Sequence, residues 1–198
     1  MTGAAGFERV VAAGGVAVFP ADTVYGLACD PESEEAVARL YALKGRPPDK
    51  PAAVMFFDRG AALGALPELA PRTADALARL LPGGVTVLLP NSRGRWPLAC
   101  GPDPGTLGLR VPRVPALAAV GLPVLQSSAN HAGGPDARRL ADVPAAIRDA
   151  ADLVLDGGDL PGTPSTVLDL RDFEARGAWR VLRNGAVTAE AIATVLGP

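Results

Sequence analysis

Lysine is nearly missing from this chain of 198 residues: of its 19 basic positions, only Lys44 and Lys50 are lysine and the other 17 are arginine. Both lysines fall in one stretch, LKGRPPDKPAAV, from Leu43 to Val54. Histidine is rarer still, with His131 alone, and the two cysteines, Cys29 and Cys100, form no CxxC arrangement. One imidazole and two distant thiols give no ligand set for a His- or Cys-based metal site, and no metal-binding residue is assigned. A Ser/His/Asp triad has only His131 to draw on, and the GxSxG elbow that would go with it is absent. Few thiols and no signal-peptide pattern point to a reduced, cytoplasmic setting. No apolar run reaches the roughly 18 residues that a membrane span needs, so no membrane partner is expected. Aromatic residues make up 5% and the formal net charge is -2, the opposite of a broadly basic, aromatic-studded nucleic-acid face. The phosphate signatures GxxxxGK[ST] and GxGxxG are missing too, so any nucleotide must be held another way.

What remains has the balance of a folded domain, with 48% hydrophobic and 20% charged residues. Its length suits a single domain over 1–198 with a sizeable core. The 20 prolines and 23 glycines punctuate short apolar runs instead of forming a low-complexity tract. Val16 to Phe19 reads as a buried strand that Pro20 and the polar residues after it bring to a stop. From Glu34 to Leu43 apolar positions recur at helical spacing, with Asp30 or Ser33 as the cap, Gly45 as the left-handed exit, and Pro47 and Pro48 barring continuation. Strands are expected at 52–57, 85–90, 106–112, 123–128, 165–170 and 179–183, with a helix at 73–81. A helix running into a strand is expected over 142–155, and a final helix opens at Thr188. Strands and helices mix without strict alternation, which predicts one α/β domain around a twisted, mixed, open sheet.

Four polar segments follow strand or helix ends: PADTVYG (20–26), KGRPPDK (44–50), SSAN (127–130) and PSTV (164–167). Crevices beyond strand ends are where α/β sheets hold ligands. Lys44, Arg46 and Lys50 set three positive charges against Asp49, Ser127, Ser128 and Asn130 add short hydrogen-bonding groups, and Gly133 with Gly134 lets backbone N–H groups approach an anion. The combination reads as an anion pocket that works by charge stabilisation and positioning, since no carboxylate cluster supplies a dedicated base.

Taken in order, FPADTVYGLACD, LKGRPPDKP, LPGGVTVLLP, TLGLRVP, SSANHAGG, PSTVLDL and VLRNGAV resemble the YrdC family, the threonylcarbamoyl-AMP synthases of tRNA modification, from about Gly15 to Val187. The resemblance implies a twisted open α/β sheet like that of dihydroxybutanone phosphate synthase, enclosing a large basic cavity. The chain looks like the short form without an extra C-terminal domain. The implied reaction joins L-threonine, bicarbonate or CO2 and ATP, with Mg2+, into threonylcarbamoyl-adenylate and pyrophosphate. A separate threonylcarbamoyl transferase complex then modifies tRNA. By the same resemblance Lys44 and Arg46 meet the ATP phosphates and the developing carbamate. Lys50, Thr106, Ser128, Asn130, Asp136 and Arg183 fall at nucleotide positions, and Thr23, Met55, Arg110, Gln126 and Ser165 at threonine positions, with Arg110 pairing the carboxylate.

Four positions depart from the family pattern. Ala21 stands where a threonine is usual, Met55 where some relatives have histidine, Gln126 where a small hydroxyl residue is common, and Asp136 in place of a frequent serine. Two other readings accompany the resemblance. One is a non-enzymatic RNA-binding or ribosome-maturation paralogue with tRNA contact. The other is a related synthase that takes a different amine.

Overall fold

The expected run of short strands broken by glycine and proline folds into one sheet. The computed structural model describes residues 3–197, so positions 1, 2 and 198 of the expected domain lie outside the described residues. In chain order the elements are α1 (Ala4–Ala12), β1 (Ala17–Pro20), β2 (Tyr25–Cys29), α2 (Glu34–Lys44), β3 (Ala53–Met55), α3 (Arg59–Gly64) and α4 (Pro71–Leu80). They continue with β4 (Val85–Pro90), α5 (Pro97–Cys100), β5 (Thr106–Arg110), β6 (Val124–Ser128), α6 (Ala145–Ala150), β7 (Leu153–Val154), β8 (Thr166–Asp169), α7 (Phe173–Arg176), β9 (Arg180–Arg183) and α8 (Ala189–Leu196). Ser33, not Asp30, caps α2, its hydroxyl accepting from the Ala36 N–H at 3.2 Å. Gly45 ends that helix in the left-handed region at φ 57°, where a side chain would be strained. Thr188 caps α8 as expected, accepting from the Ala191 N–H.

One strand was not foreseen. Pro20 does end β1, but the five buried residues Tyr25–Cys29 form β2, antiparallel to β1. Ala21 to Val24 is therefore a hairpin turn, closed by the Ala21 N–H donating to the Val24 carbonyl at 3.2 Å. The strand order is β7-β1-β2-β6-β3-β5-β4-β8-β9, mixed and open, with β3·β5, β4·β8 and β1·β7 parallel.

Because side chains alternate along a strand, the pairing register sorts the sheet into two faces. Val18, Leu27, Leu125, Val54, Leu109, Val87 and Leu168 share one face and form the main core, where α2, α4, α6 and α8 contribute Leu40, Leu77, Ile147 and Ile192. The other face is divided. Over part of it α1 packs Phe7 against Phe19 and Phe57, edge to face with centroids 5.3 to 6.1 Å apart, with Met55 and Val124 beside them. The rest of that face carries small and polar residues, Ala53, Gly108, Gln126, Thr86, Arg110 and Arg183, and among the described residues no helix covers it.

At the β9 edge, Asp169 accepts from Arg171 at 2.8 Å and from Arg180 at 3.1 Å. Its carboxyl is drawn down to about 2, first by Arg171. A carboxylate with a depressed folded-state value adds stability above its unfolded value and loses it as pH falls through the folded one. Unfolding followed by circular dichroism is therefore expected to weaken between about pH 4 and pH 2, and Asp169→Asn to flatten that acid limb. An unchanged acid limb would remove Asp169 from this role.

Candidate active site

The uncovered half of the sheet floors a cavity of about 330 Å³. Small residues keep the floor low: a Cβ on Gly108 would lie 3.3 Å from the Ala52 carbonyl oxygen. Arg46, Arg110 and Arg183 line it against one carboxylate, Asp136. Such a lining neutralises a polyanion and has no pair of carboxylates for acid–base work.

Arg110, 2% exposed, sets one end. The hairpin turn between β1 and β2 reaches across the sheet to it. A single guanidinium nitrogen, Nη2, donates to the Ala21 carbonyl at 2.8 Å, to the Thr23 hydroxyl at 2.7 Å and to Asp22 Oδ1. Asp22 Oδ2 accepts from the Arg113 N–H at 3.0 Å. Asp22 holds φ at 60°, a conformation that costs a non-glycine residue about 1 kcal/mol or more. Burial lowers the Arg110 pKa and the Asp22 charge opposes that shift; the side chain stays cationic. Nearby, the Ser165 and Thr86 hydroxyls lie 2.8 Å apart, and Arg183 donates to the Ser165 carbonyl at 2.7 Å.

Lys44, expected to meet the ATP phosphates and the carbamate, is 1% exposed and stands behind the cavity wall, outside the lining. The last turn of α2 packs against the end of β6, where the chain bends through Ser128–Asn130. The Lys44 ammonium donates to the Ser128 carbonyl, to the Asn130 carbonyl at 2.8 Å and to Asn130 Oδ1 at 2.9 Å. Three donors meet three acceptors. Ser128 Oγ donates to the same Oδ1 at 2.7 Å, while Asn130 Nδ2 donates to the Gly134 carbonyl at 2.7 Å. Burial, then the Arg46 charge, pulls the Lys44 pKa down to about 8, with Asp136 opposing. The ammonium therefore persists at neutral pH.

Of the expected site residues, Arg46, Arg110, Gln126, Ser128, Asp136, Ser165 and Arg183 line the cavity. Thr23 meets it through Arg110, and Asn130 through Ser128. Lys50 is exposed, and its carbonyl accepts from the Tyr41 hydroxyl at 2.9 Å. Met55 is wholly buried in the aromatic cluster under α1. Thr106 shares the cavity face but donates to Asp103 at 2.6 Å and accepts from Arg171 at 3.2 Å, outside the lining. Asp22 and Thr86 were not anticipated. An Asp between two apolar runs is a turn signal, and it was the one available clue to Asp22. Among the described residues no group of three His, Cys, Asp or Glu side chains is placed to hold a metal ion, and no helix is long and apolar enough to cross a membrane.

A mixed open sheet with its main core on one face and an arginine-lined cavity on the other defines an α/β protein whose cavity chemistry suits an anion. The chain belongs to the Sua5/YciO/YrdC family: the model of that family, described as "Telomere recombination", matches residues 9–185. The threonylcarbamoyl-AMP synthase of Stutzerimonas stutzeri (strain A1501) is 39% identical over 172 residues, covering 84% of this chain and 91% of that one. The protein of the same name from Bacillus subtilis (strain 168) is 34% identical, with 92% of this chain matching 53% of that one. Among solved structures, P. abyssi Sua5 complexed with L-threonine matches 96% of this chain and 56% of its own at TM-score 0.82 and 30% identity. E. coli YciO matches 94% and 91% at TM-score 0.78 and 26% identity.

Proposed function

We propose that this protein is an L-threonylcarbamoyladenylate synthase. The observation that carries the reading is the cavity itself, with Arg110 locked at one end and Arg46 and Arg183, each tied to a wall carbonyl through one nitrogen, in the lining to face phosphates. The similarity to threonylcarbamoyl-AMP synthases and to a Sua5 complexed with L-threonine supports it. Arg110 takes the threonine carboxylate, beside Thr23 and Ser165. The threonine amine forms a C–N bond to the bicarbonate carbon as a C–O bond breaks and water leaves with an amine proton, and an oxygen of the resulting carbamate attacks the α-phosphorus of ATP as the bond to the β-phosphate breaks and pyrophosphate leaves. Several anions gather at each step, so neutralisation by arginine and fixed geometry contribute more than a strong base. Lys44 acts from behind, holding the Ser128–Asn130 turn.

Mg2+ suits this site as a passenger of the nucleotide. It keeps several waters and needs only one or two carboxylates besides phosphate oxygens, and Asp136 is the carboxylate in the lining. Bound there, it would neutralise phosphate charge. The product passes to a transferase complex acting on tRNA, in the cytoplasm. An RNA-binding paralogue has less support, since three arginines face inward on a small cavity.

Purified protein with ATP, Mg2+ and bicarbonate is expected to release pyrophosphate and form the adenylate when L-threonine is added, and not without it. Absence of threonine-dependent product would sink the proposal, and product with another amine instead would transfer it to the related synthase.

A further inference from the structure

α2 buries one side in the main core, and the flank beside it stays open. Glu34, Val37, Ala38 and Tyr41, three or four residues apart and so on one stripe of the helix, meet Pro97 and Leu98 of α5 across a hollow of about 430 Å³. A second hollow of about 240 Å³ shares Glu34, Pro97 and Leu98 and continues the first to Pro31 and Trp96. The two make one groove with a mainly apolar lining. Its charged members are Glu32, Glu34 and Asp49, and among the described residues no lysine or arginine lines it. All three are exposed, and among the described residues none of their carboxylates has a hydrogen-bond or ion-pair partner. The groove is therefore opposite in sign to the arginine-lined cavity, and it suits a guest that is apolar on one side and basic beside it. Pro31, Pro48, Pro97 and Pro102 stand along its walls and have no N–H to offer. A guest cannot be held there as an added strand, so its side chains must hold it. From Glu34 to Tyr41 the groove follows α2 for about 10 Å, which is about two turns of a guest helix.

Going beyond the synthase reading, we propose that this groove docks a basic amphipathic helix of a partner protein and that Tyr41 carries its occupancy to the cavity. Apolar side chains of such a helix enter the groove between α2 and α5, and its lysines or arginines meet Glu32, Glu34 and Asp49 at the rim. The wall between groove and cavity is the loop after α2. Pro48 and Asp49 line the groove side, while Arg46 and Pro51 line the cavity side. Tyr41 touches both: its ring lines the groove and lies 5.7 Å from the Arg46 guanidinium, and its hydroxyl donates to the Lys50 carbonyl at 2.9 Å. Gly101 supports the wall from the groove side, where a Cβ would come within 2.6 Å of the Asp49 carbonyl oxygen. A guest seated against Tyr41 thus bears on the ring over which Arg46 is held.

The test titrates the isotope-labelled full chain with a synthetic helical peptide that carries leucines on one face and lysines beside them, followed by NMR. A peptide of the same composition with its leucines scattered round the helix, and one with glutamate for each lysine, serve as controls. Saturable shifts are expected at Ala38, Tyr41 and Gly101 with the first peptide, and binding at least about tenfold weaker with either control. Glu34→Lys and Ala38→Arg, both at exposed positions, should each weaken the first peptide about tenfold with Tm little changed; the second variant serves should the first disturb the helix start. The Arg46 Nε–H, buried and without a partner in the protein, should shift in step with occupancy, and a stationary signal would overturn the coupling through Tyr41. No saturable binding, or equal binding of the scattered peptide, overturns the docking surface. Signals that move on concentrating the wild type alone, and cease to in Glu34→Lys, would give the groove to a second copy presenting Leu182 between Arg180 and Arg183, and overturn it too. Binding is read without turnover, so an inactive wild type would sink the synthase reading and leave the groove to be judged by its own shifts.

Discussion

Arg110→Lys is expected to cut threonine-dependent pyrophosphate release by roughly a hundredfold or more while leaving the ATP Kd nearly unchanged. Lysine keeps the charge but loses the planar fork. In the wild type one fork nitrogen is spent on Ala21, Asp22 and Thr23, which fixes the guanidinium before any ligand arrives. Two charge-assisted hydrogen bonds to a carboxylate are worth about 1.5–3 kcal/mol each, and about 1.4 kcal/mol is tenfold in rate. The hairpin turn should suffer too, since Asp22 sits in a strained conformation that its bond to Arg110 helps to hold. Steady-state assays at varied threonine, with thermal unfolding as control, check both effects. Activity within threefold of wild type would remove Arg110 from substrate binding.

The second large effect belongs to Lys44. In Lys44→Met the side chain is of similar length, but two backbone carbonyls and one amide oxygen lose their ammonium partner in a buried place. Stranding such acceptors costs about 1–3 kcal/mol each. A loss of about 3 kcal/mol in a chain of this size lowers Tm by about 6–12 °C, and pyrophosphate release should vanish as the Ser128–Asn130 turn loosens. The wild type carries a milder version of the same test. With the Lys44 pKa at about 8, the ammonium is lost as pH rises through that value, so turnover should fall there. Asp136 raises this pKa, so Asp136→Asn should move the fall to lower pH. A profile flat from pH 7 to 9.5 would sever the turn from the Lys44 proton.

These two residues also mark how far the sequence could be read. The helix ending in Lys44, the left-handed exit at Gly45 and most strands were legible because period and punctuation are local signals. The burial of Lys44 was not: its partners lie 84 and 86 residues away, and a basic residue at a helix end ordinarily faces water. β2 was missed because Ala21 to Val24 resembles a loop leaving the sheet, when it is a turn that returns to it. Family resemblance brought Arg46, Arg110, Ser128, Ser165 and Arg183 to one cavity, yet gave no hint of Asp22, whose partners lie 88 and 91 residues away. Lys50 and Thr106, drawn from the same resemblance, stand outside that lining.

An open sheet leaves its last strand exposed to other chains, and β9 holds that position. It is four residues long and begins and ends with arginine, and its exposed Leu182 lies between the two. A second copy approaching edge to edge would bring Arg180 and Arg183 against their own counterparts. Short length and a charged residue at each end both discourage strand addition, which makes this border a poor template for a further strand.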